Sequence, residues 1–217
     1  MDRLLQEAEA MNVIKKFVIT GGPCGGKSTG LSELTRVAQD RNYLCMVVPE
    51  VARTLISTGV DPRVLTDPAQ IRIIQSTIVR LQIELEDAAE SFIRFTQGER
   101  RGLIICDRGL CDNGAYMART DWHTILSYAH TDVHHALKRY DAVFHLQSAA
   151  IGAEKHYKND AVRTDTPEEA RILDGLTMSQ WDSHPNFHLI VNPHCEDSFK
   201  YKMEILVDHV KGELDKP

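Results

Sequence analysis

Between a short apolar, β-branched run, Phe17-Val18-Ile19-Thr20, and a segment from Ser28 to Arg41 with Leu31, Leu34, Val37 and Ala38 at helical spacing lies the glycine-rich stretch Gly21-Gly22-Pro23-Cys24-Gly25-Gly26-Lys27-Ser28. Buried strand, glycine-rich turn and helix in that order restrict the fold more than any other feature of the chain. The turn has the phosphate-loop spacing of Gly, four residues, Gly, Lys and Ser. Glycines let successive backbone N–H groups converge on an anion without side-chain clashes. The helix N-terminus that follows adds unpaired N–H groups and the positive end of a dipole. The stretch predicts a nucleoside triphosphate site made by Gly21, Gly22, Pro23, Cys24, Gly25, Gly26, Lys27, Ser28 and Thr29. In it Lys27 supplies a mobile cation and Ser28 a hydroxyl for Mg²⁺.

Four further apolar runs read as strands: Leu44 to Val48, Leu103 to Cys106, Ala142 to Leu146 and His188 to Val191. Alternating with helical segments, the five predict an α/β fold with a parallel sheet and right-handed crossovers. Ligands of such sheets bind beyond the C-terminal strand ends, which directs attention to Glu50, Asp107 and the segment after Leu146. The 217 residues suit one domain, with residues 1–13 as an extension in which Leu4, Leu5, Ala8 and Met11 are spaced for a short amphipathic helix. The longest predicted helix starts at Asp67 as N-cap, Pro68 and Gln70, and runs to about Gln97. Its stripe of Ile71, Ile74, Ile78, Leu81, Leu85, Ala88, Phe92 and Phe95 is expected in the core. Residues 147–165 are polar and read as a lid. A capped helix follows from Thr166-Pro167-Glu168-Glu169, with Ile172, Leu173, Leu176 and Trp181 as its expected buried face. The last helix, from Asp197 to Leu214, uses Phe199, Met203, Leu206 and Val210.

A net charge of -6 provides no general attraction to nucleic acid or to an anionic membrane. The five cysteines are odd in number, contain no C-x-x-C and sit mostly in apolar segments, as expected in a reducing, cytoplasmic setting. Neither a secretory signal nor a membrane span is expected.

Asp107, at the end of the Leu103 to Cys106 strand, is placed to hold Mg²⁺ beside Ser28. Its neighbour is Arg108, where many hydrolysing ATPases carry a Glu that activates water. A guanidinium cannot act as that base, but it can stabilise phosphate charge or orient an acceptor. Switch-type GTPases carry Asp-x-x-Gly here, and this chain has Leu110 in the glycine position. Glu50 follows the second strand and points a carboxylate toward the cleft, suited to accept the proton of an acceptor hydroxyl or to orient it. Arg53 is placed to hold that carboxylate or touch the acceptor. Arg163, in the polar lid, is the candidate cation for the transferring phosphoryl group, ahead of Arg171, which Glu168 can pair. The histidine pairs and triplets, among them His134-His135, lack zinc-ligand spacing.

Four stretches together carry a resemblance: Ile19-Thr20-Gly21-Gly22-Pro23, Pro49-Glu50-Val51-Ala52-Arg53, Cys106-Asp107-Arg108-Gly109, and Arg163 through Arg171. They resemble the AAA-labelled phosphate-loop family that groups the ribosylnicotinamide kinase domain of the bacterial regulator NadR with the nucleotide-binding domain of TRPL translocation defect proteins. The resemblance implies a three-layer kinase-type fold with a five-stranded parallel sheet in the order 2-3-1-4-5. On the NadR side it implies transfer of the ATP γ-phosphate to a ribosyl hydroxyl, with Lys27, Ser28 and Asp107 handling phosphate and Mg²⁺ and Glu50 facing the acceptor. On the TRPL side it implies GTP binding coupled to trafficking and phosphoinositides, in longer proteins with a second, tunnel-like domain for which 217 residues leave no room. The resulting expectation is a Mg²⁺-dependent kinase using ATP or GTP on a nucleoside-like small molecule, with a nucleotide-gated regulatory module or a slow NTPase as alternatives. Catalysis is assigned to Lys27, Glu50, Arg108 and Arg163, and acceptor binding to Glu50, Arg53 and Arg108. The acceptor, the choice between ATP and GTP and the oligomeric state stay open at this level.

Overall fold

A computed structural model describes residues 13–60, 64–157 and 165–216. Strand β1 (Ile14–Thr20) leads through the glycine-rich turn into helix α1 (Lys27–Asp40), and β2 (Tyr43–Val48) into the short α2 (Val51–Ser57). The long α3 (Pro68–Thr96) returns the chain to β3 (Arg101–Asp107). A 3₁₀ turn (Leu110–Tyr116), α4 (Arg119–Tyr128) and α5 (Val133–Lys138) connect to β4 (Ala142–Leu146). Helix α6 (Pro167–Ser179), β5 (Phe187–Ile190) and α7 (Ser198–Asp215) complete the order. All strand pairs are parallel, in the order β2-β3-β1-β4-β5, as the resemblance implies.

Alternation along the strands divides the core into two layers. Phe17, Ile19, Leu103, Ile105, Phe144 and Leu146 pack against α1 and α7 through Leu34, Val37, Leu206 and Val210. Val18, Ile104, Cys106 and Val143 face the other way, against Ile93, Trp122, Tyr140 and Trp181. The result is a sheet between two helical layers, with the switch in strand order at β1. Helix starts follow their local chemistry: Asp67 accepts from the Ala69 N–H at 2.8 Å ahead of Pro68, and Thr166 with Glu169 forms a reciprocal capping box.

Two expected core faces turn out differently, and on α7 Phe199 is exposed while Met203, Leu206 and Val210 are buried. On α3 the buried residues are Gln75, Ile78, Val79, Gln82, Glu86, Ala89 and Ile93, whereas Phe92 is 53% and Phe95 90% exposed and Leu81 and Leu85 also lie on the surface. A buried polar cluster sets this rotation. Glu86, fully buried, accepts from Tyr140 Oη at 2.7 Å, Gln82 Nε2 at 2.8 Å and Arg139 Nε at 2.9 Å, with Lys16 Nζ at 3.5 Å. A buried carboxylate must be matched by charge and hydrogen bonds, so it holds its own face inward against a competing apolar stripe. On α6, Trp181 just beyond the helix is fully buried as expected, but Ile172 and Leu176 are exposed, and they line a cavity rather than the core.

The rotation of α3 is tested by urea denaturation: Ile93→Ala is expected to cost about 2–5 kcal/mol, and Phe95→Ala to stay within about 0.5 kcal/mol of the unaltered protein.

Candidate active site

The loop between β1 and α1 owes its path to close packing. Gly21 has φ +128°, and a side-chain carbon there would overlap the Leu146 carbonyl at the end of β4. Gly26, at φ +93°, caps α1 without a side-chain hydrogen bond. The first intrahelical bond is Gly30 N to Gly26 O at 2.9 Å, so the N–H groups of Lys27, Ser28 and Thr29 precede the ladder and face the anion position. Lys27 Nζ arches over the loop, donating to the Gly21 and Gly22 carbonyls at 2.9 Å each. Cys24 takes a left-handed φ of 55° within the same turn.

Two side chains distant in sequence fasten the loop from behind. Lys202 on α7, almost fully buried, donates to Gly25 O at 2.9 Å, Gln147 O at 2.5 Å and Asn192 Oδ1 at 2.9 Å. Burial lowers its ammonium to about 8, with Asp174 opposing the shift. Asp174 on α6 accepts at one oxygen from Gly22 N at 2.8 Å and Ser148 N at 2.9 Å, with His145 Nε2 at 3.2 Å. The sequence offered no signal for either residue: a lysine in an amphipathic helix and an aspartate between leucines read as solvated.

Asp107 and Arg108 end β3 beside the loop, since Asp107 is in register with Ile19 on β1. Asp107 Oδ1 is buried with no hydrogen-bond partner among the described residues, and burial and the nearby Glu50 raise its carboxyl above the ordinary range. An orphaned carboxylate oxygen at this point fits a divalent cation that Ser28, exposed at the start of α1, would share. Arg108 has φ +68°, a left-handed conformation costly for a residue with a side chain. Its N–H bonds Ile19 O at 2.9 Å, its carbonyl accepts from Gln82 Nε2 at 3.4 Å, and its Nε reaches Glu50 Oε1 at 2.8 Å. Glu50 also meets Arg53 Nε at 3.4 Å. Burial alone would raise the Glu50 carboxyl, but Arg108, Lys27 and Arg53 outweigh it and hold the group at about 2. Asp112, unremarked in the sequence, accepts from Thr20 Oγ1 and from Gly109 N, tying the 3₁₀ turn to β1.

A cavity of about 500 Å³ opens beside this pair. Pro23, Glu50, Arg53 and Arg108 line it, with Ile78, Ile172 and Leu173 among its apolar lining residues. Thus the structure brings the loop residues, Glu50, Arg53, Asp107 and Arg108 together. Arg171 instead donates to Ala150 O at 2.7 Å and pairs with Glu168 at 3.1 Å on the surface. Arg163, with residues 158–164 of the stretch assigned to the lid, lies outside the described residues, whereas Ser148 and Ala150 at the start of that stretch are fully buried.

A phosphate loop at the switch point of a parallel sheet, with an acidic strand end beside it, defines a P-loop NTPase fold. A family model described as an AAA domain matches residues 16–197, and the chain belongs to that family of P-loop nucleotide-binding domains. No curated protein is matched by the chain. Among the described residues, no helix is long and apolar enough to cross a membrane.

For the ligand-free protein the Glu50 pairing sets an acid limb. A carboxyl depressed from 4.5 to about 2 adds stability that is complete above its unfolded pKa and is lost as pH falls from 4.5 through 2. Glu50→Gln should flatten that limb in stability measured by denaturation against pH. Lys202→Met leaves three buried acceptors without their donor and is expected to cost about 3 kcal/mol in the same measurement.

Proposed function

We propose that this protein is a Mg²⁺-dependent phosphotransferase that passes the γ-phosphate of ATP or GTP to a hydroxyl of a nucleoside-like small molecule. The observation that carries the reading is the Glu50–Arg108 pair, which borders the phosphate loop on one side and the 500 Å³ cavity on the other. A hydrolase needs only water at this position, whereas a cavity of this size with apolar walls suits an organic acceptor. The AAA-domain match supports the nucleotide-binding half of this reading, and the resemblance to the NadR kinase domain suggests the transfer half.

In this reading the Gly21–Thr29 backbone and Lys27 bind the β- and γ-phosphates. Ser28 and Asp107 would hold Mg²⁺, which when bound neutralises charge on the phosphates. Glu50 accepts a hydrogen bond from the acceptor hydroxyl and aims its oxygen at the γ-phosphorus. At a pKa of about 2 it is a weak base, so orientation is its larger contribution. That suffices for a loose transition state in which positioning and charge stabilisation dominate. The new bond joins acceptor oxygen to phosphorus, the bond to the β–γ bridging oxygen breaks, and the hydroxyl proton passes to solvent water late in the transfer. Arg108 and Arg53 hold Glu50 and face the acceptor.

Incubation with ATP or GTP, Mg²⁺ and a panel of nucleosides tests the proposal. Nucleoside-dependent release of ADP or GDP with a phosphorylated product is expected, and Glu50→Gln should lower kcat by about 10²-fold. Turnover independent of any acceptor would overturn the kinase reading. Tight nucleotide binding without turnover would instead favour a regulatory module.

A further inference from the structure

Lys202 brings a full positive charge to the back of the phosphate loop, more than fastening the loop requires. It is 1% exposed, and its three N–H donors meet three neutral acceptors, Gly25 O, Gln147 O and Asn192 Oδ1. Matching three acceptors needs the ammonium, since a neutral amine has two N–H groups and leaves one buried acceptor bare. Asp174 is the carboxylate that acts on this charge, yet its own bonds go to Gly22 N, Ser148 N and His145 Nε2. Lys202 is thus a buried cation whose hydrogen bonds all end on neutral groups, an arrangement that becomes favourable when negative charge arrives nearby.

The Gly25–Gly26 peptide connects that charge to the ligand side of the loop. A trans peptide holds its C=O and N–H antiparallel, so the carbonyl that faces Lys202 turns the Gly26 N–H away from it. The N–H groups of Lys27, Ser28 and Thr29 follow directly at the start of α1. A cation bonded to the carbonyl polarises the peptide and strengthens donation by its N–H. Lys27 bonds the Gly21 and Gly22 carbonyls instead, so the two lysines act on different peptides of one loop. Around Lys202 the other titratable groups are His145 on β4, Cys24 and Lys27 in the loop, His188 on β5 and His194 beyond it. His188 bonds Glu213 at 2.8 Å, three turns along α7, and the neighbours one turn from Lys202, Ser198, Phe199, Ile205 and Leu206, are uncharged.

Resting on the triphosphate site and not on the transfer reaction, we propose that Lys202 is a positioning residue for phosphate binding, its ammonium acting through the Gly25–Gly26 peptide on the bound polyphosphate. Binding is then linked to its proton. In the free protein burial lowers the ammonium to about 8. Phosphate charge in front of the loop favours the protonated form and raises it again. Below pH 8 the group is charged with or without ligand, and above it binding takes up a proton and weakens as pH climbs.

The test is calorimetric titration of the full chain with tripolyphosphate, MgATP and MgGTP from about pH 7 to about pH 9.5, in paired buffers of different ionisation enthalpy that count the protons taken up. The unaltered protein is expected to take up a fraction of a proton near about pH 8.5 and to lose about 10-fold in affinity across the range, for tripolyphosphate as for the nucleotide it binds. Lys202→Gln keeps a donor and drops the charge. At about pH 7 it should bind at least about 10-fold more weakly, with no proton uptake near about pH 8.5, although Cys24 and Lys27 are present in both proteins. A level affinity profile without proton uptake in the unaltered protein, binding of none of the three ligands, or Lys202→Gln that binds as tightly or takes up the same proton would each overturn the proposal. If Lys202→Gln fails to fold, Lys202→Arg takes its place: its charge does not titrate in this range, so tight binding without proton uptake is expected. If neither folds, the profile of the unaltered protein decides. The two readings fail separately. Proton uptake that depends on Lys202, without transfer to any acceptor, sinks the kinase and leaves the role of Lys202 standing, and acceptor phosphorylation with a level binding profile does the reverse.

Discussion

The site depends on buried charge behind the phosphate loop. A loop that presents its N–H groups to an anion must turn carbonyls the other way, and carbonyls facing a protein interior need donors. Lys202 supplies them for Gly25 and Gln147, the latter at the end of β4, while Asp174 takes the N–H groups of Gly22 and Ser148. An ammonium drawn down to about 8 by burial is the cost of this arrangement. In return α6, α7 and the segment after β4 are joined to the loop through side chains that leave little room for it to move.

A second buried cluster forms around α3. Glu86 gathers Lys16, Arg139, Tyr140 and Gln82, and Gln82 reaches on to the Arg108 carbonyl. Strain at Arg108, with its left-handed backbone, is held by bonds at both its N–H and its carbonyl. The rotation of α3 that keeps Glu86 inside also turns Gln75 and Ile78 toward the cavity. Core electrostatics and the shape of the cavity are therefore set by one helix orientation.

Local patterns disclosed much of this. The strands were legible because each is a short apolar run between polar turns, and the helix starts because Asp67-Pro68 and Thr166-Pro167 are strong caps. The loop, Glu50, Asp107 and Arg108 were legible because each stands next to a strand end, where sheet topology alone dictates position. Helix faces were not. The α3 stripe through Phe92 and Phe95 is regular, yet a neighbouring face with Glu86 and Gln82 won because an unmatched buried charge costs more than an exposed ring. Ile172 and Leu176 carried the right apolar character for burial but surround a cavity.

The amino-acid order by itself determined the parallel α/β architecture, the phosphate loop and the acidic strand end, because these arise from short-range backbone preferences and strand-to-strand connection rules. Tertiary structure alone decided that Lys202 and Asp174 fasten the loop from positions far along the chain, and that Arg108 locks Glu50. Those contacts depend on how helices rotate and which buried charges find partners, and that balance is struck only when the whole core is packed.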